Sequence, residues 1–276
     1  MADRSQELTA AVAAMLRSAG CVFAEDEARL LIEAAASEAE LAVLAQRRAS
    51  GLPLEHVLGW AEFCGQRIAL DPGVFVPRRR TEFLVSEAVR LASQTPATAG
   101  PSGGQPGLVV VDLCCGSGAV GAALAAALAP AELHAADIDP AAVACARRNL
   151  TAAGGRVYLG DLYRPLPRGL RGRVTILAAN VPYVPTREVS LLPAESRRHE
   201  ARVAVDGGAD GLDVLRRVAG PAPSWLAPGG HLLTESSERQ APAVAEALAH
   251  AGLTPRVVSS EDLGSCVVIG TRAPGP

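Results

Sequence analysis

Apolar residues recur with helical spacing over the first fifty positions of the chain. Leu8, Val12 and Leu16 form one stripe, a second stripe begins at Leu30, and a third helix is predicted over 38–48. Three short helices can bury their apolar stripes only against one another. We therefore predict a small helical bundle at the start of the chain.

Beyond position 107, short apolar runs alternate with amphipathic helical segments. Strands are predicted at 108–113, 132–137, 156–160, 174–180 and 229–235, followed by two runs at 255–260 and 265–272 that are close enough to pair as a hairpin. Alternation of this kind predicts an α/β, Rossmann-like domain with a seven-stranded, mostly parallel sheet and a terminal antiparallel hairpin.

Glycine and proline mark the borders of the predicted parts. We assign 1–60 to the helical domain, 61–80 to a β-hairpin or connector, and 81–276 to the α/β domain, whose first helix has Thr81 as its predicted N-cap. The Pro/Gly/Ser/Thr-rich stretch 93–107 cannot pack a core and is predicted to be a surface loop.

Composition excludes several classes of function. The chain has 276 residues, 49% of them hydrophobic, and a formal charge of −3, which gives no general electrostatic reason to bind nucleic acid or an anionic membrane. No apolar run is long enough to span a bilayer and the start of the chain is polar, so we expect a cytoplasmic protein. The six cysteines have no metal-ligand spacing, which predicts neither a metal site nor a disulfide framework.

A glycine-rich loop follows the first strand of the predicted sheet, at 114–118. Gly116 and Gly118 allow a sharp turn into a helix whose first N–H groups are free. The spacing Gly116-Ser-Gly-Ala-Val-Gly121 also matches a dinucleotide-binding fingerprint, so a nicotinamide cofactor is one hypothesis. Against it, Asp112 ends the strand and would repel a pyrophosphate, whereas it could meet the ammonium group of S-adenosylmethionine.

Two more carboxylates end the next strands. Asp137 could accept hydrogen bonds from both ribose hydroxyls, and Asp161 could accept one from the adenine amine. Carboxylates at three successive strand ends favour S-adenosylmethionine over a dinucleotide, although each alone could be a polar strand cap. We interpret Cys114 and Cys115 as small fillers of the tight turn.

The strand 174–180 ends at Asn180, which is followed by Val181, Pro182 and Tyr183. The Asn180 side-chain oxygen and the carbonyl oxygen of Val181 could accept both hydrogens of a planar NH₂ group. Tyr183 offers a flat face against which such a group can stack. The pattern favours an acceptor site for a planar nitrogen over an ordinary strand-end turn.

In this order, the motifs resemble the HemK/PrmC family of methyltransferases, which modify the glutamine side-chain amide of peptide-chain release factors. The resemblance rests on GLPLEHVLGWAEFCG, VPRRRTEF, VVVDLCCGSGAVGAALA, ADIDPAAVACARRN, NVPYVP, GGADGLDVLRRV, LAPGGHLLTE and the terminal hairpin. It implies a class I methyltransferase that uses S-adenosylmethionine, with a release factor as its protein partner and the N-terminal helices holding that partner.

The residue chemistry and the resemblance together predict the site. The predicted cofactor-binding residues are Asp112, Cys114, Cys115, Gly116, Ser117, Gly118, Asp137, Ile138, Asp161, Leu162 and Asn180. The predicted substrate-binding residues are Arg78, Thr81, Asn180, Val181, Pro182 and Tyr183, and of these Asn180, Pro182 and Tyr183 are the predicted catalytic residues.

The sequence departs from the family pattern mainly in the substrate half. Val181 replaces the first proline of the family's NPPY tetrapeptide, and Cys114 and Cys115 stand where the family usually has Gly and Thr. ESRRHEARVAV departs from Glu-Pro-x-x-Ala-Leu, TESSERQ lacks a glycine after its first glutamate, and GSCVVIG lacks a usual arginine. Two alternatives therefore stay open: methylation of another planar nitrogen in a protein, metabolite or nucleobase, and a cofactor-binding paralogue without turnover.

Overall fold

The computed structural model describes residues 2–94 and 107–275, with side chains from residue 6 onward. The predicted surface loop at 93–107 falls largely on residues 95–106, outside the described part. The chain begins with four helices: α1 (Ala2–Ser18), α2 (Ala24–Ala34), α3 (Glu38–Ala49) and α4 (Leu54–Leu58). Their apolar faces meet in one cluster that includes the buried Leu16, Leu31 and Leu41. The periodicity predicts the first three helices, whereas the short α4 was not predicted.

A two-stranded antiparallel hairpin follows, formed by β1 (Trp60–Phe63) and β2 (Gln66–Ala69). Cys64 and Gly65, both with positive φ, make its turn. The hairpin is tied to the main domain by the Asn149 side chain, which accepts from the Ala69 N–H and donates to the carbonyls of Ala69 and Ser117. Because Ser117 lies in the glycine-rich loop, the hairpin and that loop share one anchor.

The remaining elements alternate between helix and strand. The strands are β3 (Leu108–Leu113), β4 (Ala131–Asp137), β5 (Arg156–Leu159), β6 (Val174–Ala179), β7 (Leu226–Ser236), β8 (Thr254–Ser260) and β9 (Ser265–Thr271). The helices are α5 (Glu82–Gln94), α6 (Ala119–Ala127), α7 (Pro140–Leu150), α8 (Ala194–His199), α9 (Asp213–Ala219), α10 (Ala222–Trp225) and α11 (Ala241–His250).

The seven strands form one sheet with the order β5-β4-β3-β6-β7-β9-β8. All neighbours from β5 to β7 are parallel, whereas β9 runs antiparallel between β7 and β8. The predicted Rossmann-like sheet with its antiparallel hairpin is confirmed. Strand order reverses between β3 and β6, where Leu113 pairs with Ala179, so a crevice opens beyond the carboxyl ends of these two strands.

The entry to α5 differs from the prediction. A 3₁₀ turn at Arg79–Thr81 precedes the helix, and the buried Thr81 hydroxyl donates to the Glu235 carboxylate at 2.6 Å. A hydroxyl that donates to a carboxylate can still accept from a backbone N–H, so the role of Thr81 as the cap of α5 stays a prediction. Sequence spacing identifies a residue type that can cap a helix, but it does not reveal that a carboxylate from a strand 154 residues later accepts from the same hydroxyl.

Candidate active site

A cavity of about 220 Å³ lies beyond the carboxyl ends of the parallel strands. It is lined by all of the predicted site residues except Gly118: Arg78, Thr81, Asp112, Cys114, Cys115, Gly116, Ser117, Asp137, Ile138, Asp161, Leu162, Asn180, Val181, Pro182 and Tyr183. These residues come from segments that lie far apart in the sequence. The structure thus brings the predicted cofactor and substrate halves into one space.

The glycine-rich loop after β3 is held in a left-handed conformation at three positions. Cys114 has φ of +55°, Gly116 +54° and Gly118 +80°. The Gly116 N–H donates to one oxygen of Asp137, and the Asp139 N–H donates to the other, both at 2.9 Å. Asp137 therefore joins the loops after β3 and β4 and fixes the floor of the cavity.

Gly118 lies behind the cavity wall at the start of α6. A β-carbon added there would lie 3.1 Å from the Leu150 side chain and 3.2 Å from Cβ of Ala146. The residue therefore allows α6 to begin close to α7, and its left-handed φ further favours glycine. Gly118 shapes the loop by packing, and direct contact between this residue and a cofactor stays a prediction.

Asp112 is 1% exposed and lies beneath the loop. One of its oxygens accepts from the Gly121 N–H at 2.9 Å. Burial raises the pKa of Asp112 to about 7, although the Gly121 hydrogen bond opposes the shift and the Asp137 charge adds to it. A β-carbon at Gly121 would come within 3.1 Å of the same carboxylate. The third glycine of the fingerprint thus serves a buried acid, which suits a cationic ligand and not a pyrophosphate.

Asp161 differs from the free acceptor that the sequence led us to expect. Both of its oxygens accept from one guanidinium nitrogen of Arg217, at 2.7 and 2.6 Å. Arg217 also lines the cavity. A carboxylate has further lone pairs, so a bond from Asp161 to an adenine amine stays a prediction.

The two adjacent cysteines are protonated at neutral pH. Burial raises the pKa of the Cys114 thiol and that of the Cys115 thiol well above the usual range, and the nearby charges of Asp112 and Asp137 raise both further. A thiol without thiolate character is a poor nucleophile. The interpretation of these residues as fillers of a tight turn agrees with this environment.

The residues Asn180–Tyr183, here called the acceptor turn, leave the end of β6. Val181 and Pro182 are buried. The glycine-rich segment 207–211 braces the turn: the Gly207 N–H donates to the Val184 carbonyl at 2.8 Å, and a β-carbon at Gly211 would lie 2.3 Å from the Tyr183 carbonyl oxygen. A side chain at either glycine would thus push the acceptor turn out of place.

A buried carboxylate organises the side chains around the acceptor turn. Glu235, near the end of β7, accepts from the Thr81 hydroxyl at 2.6 Å, from Nε of Arg80 at 2.7 Å and from the Tyr183 hydroxyl at 3.0 Å. The Asn180 amide nitrogen donates to the Thr81 oxygen at 3.4 Å. Burial and the Glu235 charge raise the pKa of Tyr183, which keeps its hydroxyl protonated.

Comparisons with known proteins agree with this geometry. Residues 102–190 match the family described as "Methyltransferase small domain". The chain is 36% identical to the release factor glutamine methyltransferase of Geobacter sulfurreducens over 83% of this chain and 76% of that protein. It is 38% identical to the Bordetella pertussis release factor glutamine methyltransferase over 83% of this chain and 80% of that protein.

The chain belongs to the release factor glutamine methyltransferase family. Solved structures support the fold. A Pyrococcus furiosus methyltransferase matches with a TM-score of 0.53 at 15% identity, over 76% of this chain and 90% of that chain. A T. thermophilus 16S rRNA methyltransferase in complex with AdoMet and guanosine matches with a TM-score of 0.51 at 22% identity, over 77% of this chain and 49% of that chain.

The family pattern also accounts for an ion pair between Arg78 and Glu200. Arg78 donates to both oxygens of the buried Glu200, at 2.6 and 2.7 Å, and the Val76 N–H donates to the same carboxylate. Glu200 lies in the segment ESRRHEARVAV, four positions before Ala204. That is the spacing of the family's Glu-Pro-x-x-Ala-Leu, so the departure there is confined to the proline and to Val205.

Glu200, Glu235 and Arg80 escaped the sequence reasoning. A carboxylate near the end of β7 could have been expected beside Asn180, because β6 and β7 are parallel neighbours. Glu200 lies in a connecting segment, and the sequence signal for it is its alignment with the glutamate of the family's Glu-Pro-x-x-Ala-Leu. Among residues 2–94 and 107–275, no group of three or more side chains is arranged to hold a metal ion. In the same ranges, no helix is long and apolar enough to cross a membrane.

Proposed function

We propose that this protein transfers a methyl group from S-adenosylmethionine to the side-chain amide nitrogen of a glutamine in a peptide-chain release factor. One observation carries the proposal: the glycine-rich loop after β3 and the Asn180–Tyr183 turn after β6 line the same cavity. Methyl transfer requires the donor carbon and the acceptor nitrogen to meet at about 3 to 3.5 Å. The glutamine of a release factor is the acceptor that family membership supports.

The cavity fits this cofactor in its charge and its shape. Asp112 is a carboxylate buried with one hydrogen bond, an arrangement that an ammonium or sulfonium group would stabilise. Asp137, already oriented by two backbone N–H groups, is the proposed ribose ligand. The exposed Ile138 and the partly buried Leu162 line the cavity and would offer apolar surface to an adenine. When bound, S-adenosylmethionine supplies an electrophilic methyl group on a positively charged sulfur.

Asn180 and Val181 are the proposed acceptors for the substrate. A glutamine amide has a delocalised nitrogen lone pair, so the protein must hold the nitrogen in line with the methyl carbon and stabilise the charge that develops on it. The Asn180 side-chain oxygen and the Val181 carbonyl each accept one N–H of the glutamine NH₂ group. Tyr183 packs on the amide plane. With the cofactor bound, the N–C bond would form as the S–C bond breaks, the sulfur would keep the electron pair of the broken bond, and the proton released from nitrogen would pass to solvent water.

The other parts of the chain have proposed roles outside the chemistry. The helical domain at 1–60 holds the protein substrate, 61–80 connects it to the catalytic domain, and 81–276 forms that domain. Arg78 and Thr81 border the cavity between these parts and approach the substrate from the connector side. A release factor acts in translation, so we propose a cytoplasmic location.

Methylation of a release-factor fragment that contains Gly-Gly-Gln tests the proposal. With S-adenosylmethionine present, mass spectrometry should show a gain of one methyl group, and the fragment with the glutamine changed to alanine should show none. A set of unrelated proteins, amines and nucleosides in parallel reactions serves as the comparison. Absence of methylation on every release factor at saturating cofactor would refute the proposed substrate, and methylation of a nucleoside alone would replace it.

Asn180→Ala separates acceptor binding from cofactor binding. We expect this variant to bind S-adenosylmethionine within a few-fold of the unaltered protein in calorimetry and to lose methylation. The matched change is Gln94→Ala, which removes a carboxamide at the exposed end of α5, away from the cavity lining, and should leave both cofactor binding and methylation unaltered. A large loss of cofactor affinity in Asn180→Ala would show that its amide serves the cofactor.

A further inference from the structure

Glu235 is a charged side chain that is only 3% exposed, and the proposed chemistry assigns it no contact with the substrate. Its two oxygens receive three hydrogen bonds, one from each of Thr81, Arg80 and Tyr183. A buried carboxylate is costly unless it is paired and hydrogen-bonded. Three donors from two distant segments offset the cost of burying this carboxylate, which is therefore a fixed part of the site.

In this cluster, each hydrogen bond can have only one donor and one acceptor. An ionised carboxylate can only accept hydrogen bonds, so the single hydroxyl proton of Thr81 must go to Glu235. The Thr81 oxygen is then left as an acceptor. The side chain of Asn180 can meet it only with its NH₂ group, as in the 3.4 Å contact from the Asn180 nitrogen. With the nitrogen on this side, the amide oxygen of Asn180 faces away from Thr81.

That orientation matters because an asparagine amide has a donor end and an acceptor end of almost identical shape. A substrate NH₂ group needs the acceptor end. If the amide of Asn180 turned over, its NH₂ group would face the substrate NH₂ group, and two donors would oppose each other. The side chain alone has no preference between these two states, so a neighbour must choose.

We propose that Glu235 is the positioning residue that makes this choice, acting through Thr81 to keep the oxygen of Asn180 turned toward the acceptor amide. The inference rests on the proposed function. Glu235 also orients Tyr183, whose hydroxyl donates to Glu235 and accepts from Arg80 at 2.6 Å. One carboxylate thus fixes both ends of the acceptor turn.

Glu235→Gln reverses the chain of hydrogen bonds with almost no change of shape. The glutamine NH₂ group can donate to Thr81, the Thr81 hydroxyl can then donate to the Asn180 oxygen, and the Asn180 amide turns over. We expect kcat to fall about 100-fold, the size of losing one oriented group at a reacting centre. The dissociation constant of S-adenosylmethionine and the midpoint of urea unfolding should stay close to those of the unaltered protein.

Two further variants distinguish orientation from simple loss of packing. Thr81→Val removes the hydroxyl that connects Glu235 to Asn180, so adding Glu235→Gln to Thr81→Val should lower kcat by less than threefold. Glu238→Gln, the same change at an exposed position three residues later, should leave kcat unaltered. Equal losses from Glu235→Gln in both backgrounds, or unchanged kcat in Glu235→Gln alone, would overturn the proposal.

A readout that needs no substrate separates this inference from the proposed function. The side-chain amide signals of Asn180, assigned in ¹⁵N spectra by their absence in Asn180→Ala, should shift in Glu235→Gln and stay in place in Glu238→Gln. If no release factor is methylated and these signals still shift, the proposed substrate is wrong while the positioning role stands. If methylation occurs and the signals do not move, the positioning role is wrong.

Discussion

Asp112 should make both the stability of the protein and its affinity for the cofactor depend on pH. Its carboxyl is 1% exposed, and burial raises its pKa to about 7 from an ordinary value of 3.8. Between these two values the unfolded chain has released this proton while the folded protein retains it. The free energy of unfolding therefore falls as pH rises from about 4 to about 7 and is flat with respect to this group above that range.

The size of the effect follows from the difference between the two pKa values. One pKa unit corresponds to about 1.4 kcal/mol, so a shift of about three units corresponds to about 4 kcal/mol. Asp112→Asn keeps the shape and an oxygen that can accept from the Gly121 N–H. This variant carries no ionisable group at the position. It should match the unaltered protein near pH 4 and exceed its stability by about 4 kcal/mol at pH 8.

Urea unfolding of both proteins at pH 4, 5.5, 7 and 8 measures this difference, in which the contributions of the other titrating groups cancel.

Cofactor affinity should change in the opposite sense and rise with pH, because an ammonium group is held by the ionised carboxylate. Between pH 5.5 and pH 7 the ionised fraction of Asp112 rises about 15-fold, and calorimetry should show a similar gain in affinity for S-adenosylmethionine. Asp112→Asn should bind weakly at every pH. A stability difference that does not change with pH would refute the buried, protonated state, and pH-independent affinity would refute the contact with ammonium.

Three further substitutions test the supports of the site by urea unfolding. Glu200→Ala should cost about 2 to 3 kcal/mol, because it leaves Arg78 without its bidentate partner, although Arg78 is one-third exposed and partly screened. Gly211→Ala should cost about 1 to 3 kcal/mol and lower kcat, since its β-carbon would collide with the Tyr183 carbonyl. Val181→Pro should add about 0.4 to 1 kcal/mol, because a residue before proline is already extended and the ring restricts the unfolded chain.

Each of these changes has a control elsewhere in the chain. Glu188 pairs with Arg239 on the surface, so Glu188→Ala should cost less than about 1 kcal/mol. Gly20 shares the left-handed φ of Gly211 but has no atom within 4 Å of an added β-carbon, and Gly20→Ala reports backbone strain alone. If Gly20→Ala and Gly211→Ala lower the free energy of unfolding equally, the predicted collision with the Tyr183 carbonyl does not occur. Loss of stability in Val181→Pro would mean that the Val181 N–H makes a hydrogen bond that proline lacks.

Periodicity and strand-end chemistry were enough to predict the sheet and the cavity floor. Asp112, Asp137 and Asn180 each lie within one residue of the carboxyl end of a parallel strand, and parallel strands present these ends at one edge. Their meeting in space thus follows from topology once the alternation of helix and strand is recognised. Gly118 adds a requirement that the motif alone does not show, because a β-carbon there would crowd Leu150 of the neighbouring helix.

The supporting groups could not be predicted because their roles depend on distant partners. Thr81 is a good helix cap by type, and only the folded sheet shows that its hydroxyl donates a hydrogen bond to Glu235. Glu200 lies in a segment that departs from the family pattern, and its role depends on an ion pair with Arg78, 122 positions earlier. Sequence patterns specify which groups face the ligand, whereas the groups that hold them are specified by packing between segments.

Val181 marks the point where the chain departs from its family inside the acceptor turn, and the surrounding contacts explain why the turn can tolerate it. A proline would stiffen the turn by limiting its own backbone. Here the stiffness comes from outside: Gln240 donates to the Tyr183 carbonyl at 3.0 Å, Gly207 binds the Val184 carbonyl, and Arg80 holds the Tyr183 hydroxyl. Because these contacts act on the residues after Val181, they restrain the turn in the absence of the proline ring.

Arg80 falls at the unspecified position of the family's PRPxTE segment. Arg80→Ala should therefore lower kcat more in this chain than in the same chain carrying Val181→Pro, and equal losses in the two backgrounds would show that the arginine does not compensate for the missing proline.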